Sequence, residues 1–137
     1  MIEKTLCIFK PDLAASEAHV REALLRVLAI GLVPVRLART LLMSDEATEL
    51  YYEHEDRDYF LPNIAFMMSG PVYIIVFEGE SACERLRELI GATDPTKAQR
   101  GTLRQIFGTE LPRNAVHGSA SSADAEREIE IFFEDGR

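Results

Sequence analysis

The segment Val72-Tyr73-Ile74-Ile75-Val76-Phe77 limits the fold more than any other stretch of the chain. An unbroken run of apolar and aromatic residues has no polar face, so a strand here must be covered on both sides. A helix signal follows it. Ser81-Ala82-Cys83-Glu84 has the form of a capping box, Leu86, Leu89 and Ile90 keep helical spacing, and Gly91 stops the turn. The start of the chain repeats this grammar. Thr5 to Phe9 reads as a central strand that ends at Lys10-Pro11-Asp12. Ser16 then caps a helix bearing Val20, Ala23, Leu24, Val27 and Leu28, which closes at Gly31. Val33, Val35 and Leu37 alternate with Pro34, Arg36 and Ala38, a strand that Pro34 assigns to a sheet edge.

Between these units, Ser44 starts a short helix carrying Leu50 and Tyr51, with Asp45 and Glu46 at its positive end, and Tyr59 to Met68 reads as another. From Ala92 to Asn114 there is little period beyond one helical turn at Leu103 to Phe107, the mark of a loop that is functional or disordered. Ala115-Val116 is a brief strand. Ser121-Ser122, ahead of Asp124, opens a last helix with Ala125, Ile129, Phe132 and Phe133 on one face. Strand–helix–strand twice over predicts an α+β fold: a ferredoxin-like split βαβ sandwich, with a four-stranded antiparallel sheet and helices packed on one face of it. A small parallel doubly wound fold is the rival. Residues 1–137 fit a single domain.

A net charge of −8 argues against nucleic acid held on a general basic surface. No apolar run approaches a membrane span, and no leader pattern precedes the first strand, so a soluble cytoplasmic protein is expected. Cys7 and Cys83 read as small buried residues of a reducing compartment, not as a disulfide or zinc site. The chain lacks GxxxxGK[ST], GxGxxG and HExxH, so any phosphate site must be built from side chains. Lys10, Arg87, Thr93, Arg104 and Asn114 are the candidates. Lys10 is the least ordinary, placed between an apolar strand and Pro11-Asp12.

His117 offers a nitrogen usable as a nucleophile or base near neutral pH, where a strand hands over to a loop. Glu128 lies between Ala125 and Phe132 on the apolar face of the last helix, and a carboxylate there needs a partner; His117 and Ser119 are the nearest candidates. Tyr51 and Tyr59 flank the helical excursion, where an aromatic ring can stack on a base. His19 and His54 receive no role.

The chain resembles the nucleoside diphosphate kinase family over nearly its whole length. The motifs are Lys10-Pro11-Asp12, Met68-Ser69-Gly70-Pro71, Glu78-Gly79-Glu80, Gly91-Ala92-Thr93-Asp94-Pro95, Gly101-Thr102-Leu103-Arg104 and Asn114-Ala115-Val116-His117-Gly118-Ser119. The resemblance implies a ferredoxin-like fold and transfer of the γ-phosphate of ATP or another nucleoside triphosphate to a nucleoside diphosphate. The reaction is ping-pong, through a phosphohistidine on His117. It places Lys10, Arg87, Thr93, Arg104 and Asn114 on phosphates and sugar hydroxyls, and Tyr59 against the base. Tyr51 falls beside the histidine and lysine, and Ser119 and Glu128 orient the histidine. It further implies Mg2+ carried by the nucleotide's phosphates rather than by the protein, broad nucleoside tolerance, and a homo-oligomer, tetramer or hexamer, built from dimers.

The chain departs from the family pattern at several places. Leu13 follows Asp12 where Gly is usual, Ala120 replaces an Asp, Tyr59-Phe60 stands for Phe-Phe, and Gln105-Ile106-Phe107 follows Arg104. Ala120 and the altered first turn frame an alternative, a catalytically weak relative that serves as a nucleotide-binding or interaction module.

Overall fold

The computed structural model describes residues 1–133. The elements are β1 (Ile2–Phe9), α1 (Pro11–Ala14), α2 (Glu17–Ala29), β2 (Val33–Thr40), α3 (Ser44–Leu50), a 3-10 turn (Tyr52–His54) and α4 (Phe60–Met67). They continue with β3 (Val72–Glu80), α5 (Ala82–Ile90), a 3-10 turn (Pro95–Lys97), α6 (Leu103–Phe107), β4 (Val116–Gly118) and α7 (Ser122–Phe132). The strands form one sheet in the order β2-β3-β1-β4, and every neighbouring pair is antiparallel. This is the split βαβ arrangement, and it excludes the parallel doubly wound rival.

Helices cover both faces of the sheet, not one. Strand residues alternate in direction, so Leu6, Ile8, Ile74 and Val76 enter a core with residues of α3, α4 and α7, including Leu50, Ile64 and Ile129. Cys7, Phe9, Ile75 and Phe77 enter a second core with residues of α2, α5 and α6, including Val27, Leu86 and Leu103. The two βαβ helices take one face, and the excursion between β2 and β3 joins the last helix on the other. The Val72–Phe77 run is the sequence trace of this double cover, since β3 is buried on both sides from Ile74 to Phe77.

β2 lies at the edge, with a register shift between Pro34 and Arg36 where the proline cannot donate. Pro11 does more than end β1: it opens α1, where its missing N–H costs nothing. Ser16 Oγ accepts from His19 N at 3.2 Å, and Ser121 Oγ accepts from Asp124 N at 3.1 Å, as the capping signals predict.

The capping box at Ser81 does not form. Ser81 has φ of 49° and makes no side-chain cap. Instead Glu3 Oε1, reaching from β1, accepts the Cys83 N–H at 2.9 Å. A carboxylate at the positive end of α5 satisfies an orphan donor and the helix dipole together. Replacing Glu3 by Ala is therefore expected to cost about 1–2 kcal/mol, lowering the melting temperature by roughly 3–8 °C. Thermal denaturation followed by circular dichroism checks this; an unchanged melting temperature contradicts the capping role.

Candidate active site

β4 carries the histidine. It pairs with β1 in the register Ile8↔His117 and Phe9↔Val116, so His117 points to the face covered by α7 while Val116 enters the opposite core. The strand thus runs Val116–Gly118 rather than Ala115-Val116, and the histidine is inside it rather than just past its exit. Ser119 N donates to Leu6 O at 3.1 Å, and Leu6 N donates to Ser119 Oγ at 3.1 Å, which fixes the chain just beyond it.

On α7, Glu128 is 4% exposed. An isolated carboxylate at such depth costs on the order of several kcal/mol. Two contacts on one oxygen offset this: His117 Nε2 at 2.9 Å and the Ser119 hydroxyl, donating at 2.8 Å. Burial pushes the Glu128 carboxyl up, but the His117 hydrogen bond and charge, with the Ser119 hydroxyl, outweigh it and leave the group below its ordinary range. With Nε2 directed at a carboxylate, a neutral His117 holds its proton there and its lone pair on Nδ1.

The backbone leading into His117 is strained. Ala115 has φ of 70°, where an L-residue costs about 1–3 kcal/mol. Val116 N donates back to Asn114 O at 2.8 Å, closing a γ-turn around this alanine. The Lys10–Asp12 segment grips the turn: Lys10 N donates to Ala115 O at 2.8 Å, and Asp12 Oδ2 accepts from Ala115 N at 3.0 Å. The sequence pattern puts Ala115 in the strand, but it forms the turn ahead of β4, and the pattern gives Asp12 no part in holding that turn. Alanine carries no signal of a positive φ; the acidic residue of Lys10-Pro11-Asp12 was the available hint.

The predicted cations gather around this strand. Lys10 is 5% exposed, and its Nζ donates to Asn114 Oδ1 at 2.6 Å. Asn114 Nδ2 donates to Thr93 O at 2.9 Å, so the exposed Thr93 is tied to the buried lysine through one amide. Arg104 donates through Nη2 to Val116 O at 2.8 Å and through Nη1 to Gly91 O at 3.1 Å. Arg87 Nη1 reaches Gly118 O at 3.4 Å. Two guanidinium groups therefore bracket His117 through its neighbours' carbonyls. The Tyr51 ring stands edge-on to His117 at 5.8 Å between centroids, and Lys10 Nζ lies 5.9 Å from the same ring.

Tyr59 is not in this cluster. It sits 53% exposed at the start of α4, with its hydroxyl 2.7 Å from His54 Nδ1. Ala120 is exposed and immediately precedes Ser121, the residue that caps α7. Among the described residues no three of His, Cys, Asp and Glu converge as a metal site.

Charge is unbalanced here. Burial and the nearby Arg104 push Lys10 down to about 7, against a smaller upward pull from Asp12. Burial and the Arg87 charge bring Arg104 down to about 10. No carboxylate faces either cation at ion-pair distance among the described residues. Such a cluster is complementary to an anion that arrives from outside.

Fold and site together define a side-chain-built anion site with a carboxylate-held histidine on a ferredoxin-like sandwich. The nucleoside diphosphate kinase family profile matches residues 3–137. Nucleoside diphosphate kinase 1 of Protochlamydia amoebophila is 45% identical over 131 residues, covering 96% of this chain and 92% of its own. The Aquifex aeolicus nucleoside diphosphate kinase superposes with a TM-score of 0.91 at 37% identity, over 97% of this chain and 96% of that one. A halophilic nucleoside diphosphate kinase from Halobacterium salinarum, solved in complex with CDP, gives 0.93 at 36% identity, over 98% and 90%. The chain belongs to the nucleoside diphosphate kinase family.

A phosphate bound beside Lys10 would favour its charged form, so above pH 7 such binding is expected to take up a proton. The sign follows from the free pKa of about 7 lying below that of the complex. Titration calorimetry of ADP at pH 8, in two buffers of different ionisation enthalpy, is expected to show uptake that a Lys10→Met variant lacks. Heats independent of buffer contradict this.

Proposed function

We propose that the chain moves the terminal phosphoryl group of a nucleoside triphosphate onto a nucleoside diphosphate in two half-reactions, with His117 carrying the group between them. The observation that carries this reading is the commitment of His117 Nε2 to Glu128, which leaves Nδ1 as the ring nitrogen with a free lone pair. Nδ1 attacks the γ-phosphorus, the bond to the β-phosphate oxygen breaks, and the nucleoside diphosphate leaves with that electron pair. A second diphosphate then takes the group by the reverse path. The imidazole becomes cationic while it bears the phosphoryl group, and Glu128 stabilises that charge. Ser119 keeps the carboxylate aimed.

Phosphoryl transfer asks mainly for positioning and for charge opposite the equatorial oxygens. Lys10, Arg87 and Arg104 supply that charge, and Tyr51 packs against the imidazole. Among the described residues Arg104 Nε is buried without a hydrogen-bond partner, so the guanidinium keeps unused donor capacity. Thr93 and Asn114 lie beside Lys10, within reach of phosphate or sugar oxygens. The donor set is cationic, so the substrate is the magnesium complex of the nucleotide, with Mg2+ on its phosphates rather than on protein carboxylates. The metal supplies charge neutralisation of those phosphates. Tyr59 offers a ring face to the base, and stacking without edge contacts tolerates many nucleosides.

We place the protein in the cytoplasm, where its two unpaired cysteines suit a reducing medium. No helix among the described residues is long and apolar enough to cross a membrane.

Incubation with γ-labelled ATP is expected to leave an acid-labile, alkali-stable label on the protein, lost in His117→Ala. Glu128→Ala slows labelling by roughly 10- to 100-fold, the usual effect of removing a carboxylate that orients a histidine. Label surviving His117→Ala sinks the assignment.

The reading extends to a homo-oligomer of dimer units, a tetramer or hexamer. β2 is an edge strand, with Val33 57%, Leu37 62% and Leu41 59% exposed in or next to it. An apolar open edge is matched by its own copy across a twofold axis. Light scattering is expected to report a multiple of the chain mass, and Leu37→Asp a smaller species. A monomeric parent protein refutes this.

A further inference from the structure

Tyr59 and His54 form a contact that the reaction as described leaves unused. Tyr59 Oη and His54 Nδ1 are 2.7 Å apart, with ring centroids at 5.6 Å and planes inclined by 51°. The segment between Tyr51 and α4 is a series of linked turns: His54 N donates to Tyr51 O at 2.9 Å, Arg57 N to His54 O at 2.9 Å, and Phe60 N to Arg57 O at 3.1 Å. One end of this segment rests on His117 through Tyr51, and the other carries Tyr59. Tyr59 is 53% exposed and stands outside both cores, so packing alone does not set its rotamer. A phenylalanine, the usual family residue here, has no hydroxyl with which to make this bond.

We propose that His54 is a positioning residue for Tyr59, holding the exposed phenol ring in place to receive a nucleobase. The proposal rests on the reading of Tyr59 as the base platform. A ring free to rotate must be ordered at every binding event, and ordering one such side chain in advance is worth about 2- to 10-fold in affinity. The effect falls on nucleotide capture, because the Tyr59–His54 pair makes no contact with His117, Lys10 or Arg104 in the bonds described above.

The test is steady-state kinetics with ATP as donor and ADP or CDP as acceptor, alongside melting curves of the same proteins. His54→Ala is expected to raise KM for the acceptor by about 2- to 10-fold while kcat changes by less than about twofold. His54→Asn places an amide where Nδ1 stands and restores most of the loss. Tyr59→Phe raises KM to the same degree, and adding it to His54→Ala raises KM no further, because both remove one bond. A His54→Ala protein whose melting temperature falls but whose KM is unchanged overturns the proposal. If Tyr59→Ala raises KM strongly and His54→Ala does not, the platform stands and the positioning role fails. If Tyr59→Ala itself leaves KM unchanged, the platform reading fails and the proposal falls with it.

Discussion

A buried lysine and a half-buried arginine of like charge, Lys10 and Arg104, set the terms for the rest of this structure. Burial and the Arg104 charge both loosen the hold of Lys10 on its proton, while burial and the Arg87 charge act on Arg104. Among the described residues neither forms an ion pair with a carboxylate; Lys10 bonds to an amide oxygen, and Arg104 to main-chain carbonyls. Those neutral partners keep both groups in place without quenching their charge. An ion pair would have made a more stable apo protein and a poorer anion site. The chain as a whole carries −8, and salt screens the attraction of these two cations beyond about 10 Å at 0.1 M.

The strain at Ala115 belongs to the same design. The turn at Ala115 lifts the chain into β4 so that Val116 points into one core and His117 toward α7. Main-chain and carboxylate contacts from the segment that also bears Lys10 hold that turn. Nucleophile and cation are thereby placed by one set of bonds. Ala120, which departs from the family pattern, sits outside this set: it is exposed, and Ser121 beside it provides the cap for α7.

Much of this was legible in the chain because the signals are local. The caps at Ser16 and Ser121, the edge position of Pro34 and the stop at Gly31 each depend on residues within a turn or two. The partners of Glu128 were also legible, because a carboxylate on an apolar helix face has few ways to be satisfied. What escaped was nonlocal or silent. Glu3 caps α5 from a strand far away in sequence, and Ser81 mimics a cap it does not make. The placement of helices on both faces was implied by Val72–Phe77, yet the βαβ order alone suggested one. In the sequence Tyr59 reads as a ring able to stack on a base and His54 has no role; only the turn between them makes them a pair.

The rung Ile8↔His117 has a consequence for how the molecule loses activity. β1 is an interior strand, paired on both edges and closed on both faces. Amides in such strands exchange with solvent only through global opening, unlike those of loops and lids. His117 itself is mounted on that strand's neighbour, β4, a three-residue strand at the edge of the sheet, paired on one side only. Its hold is the pair of bonds between Leu6 and Ser119 and the Glu128 contact from α7. Heating is then expected to loosen the histidine from its carboxylate before the interior of the sheet gives way, so that activity is lost ahead of global unfolding.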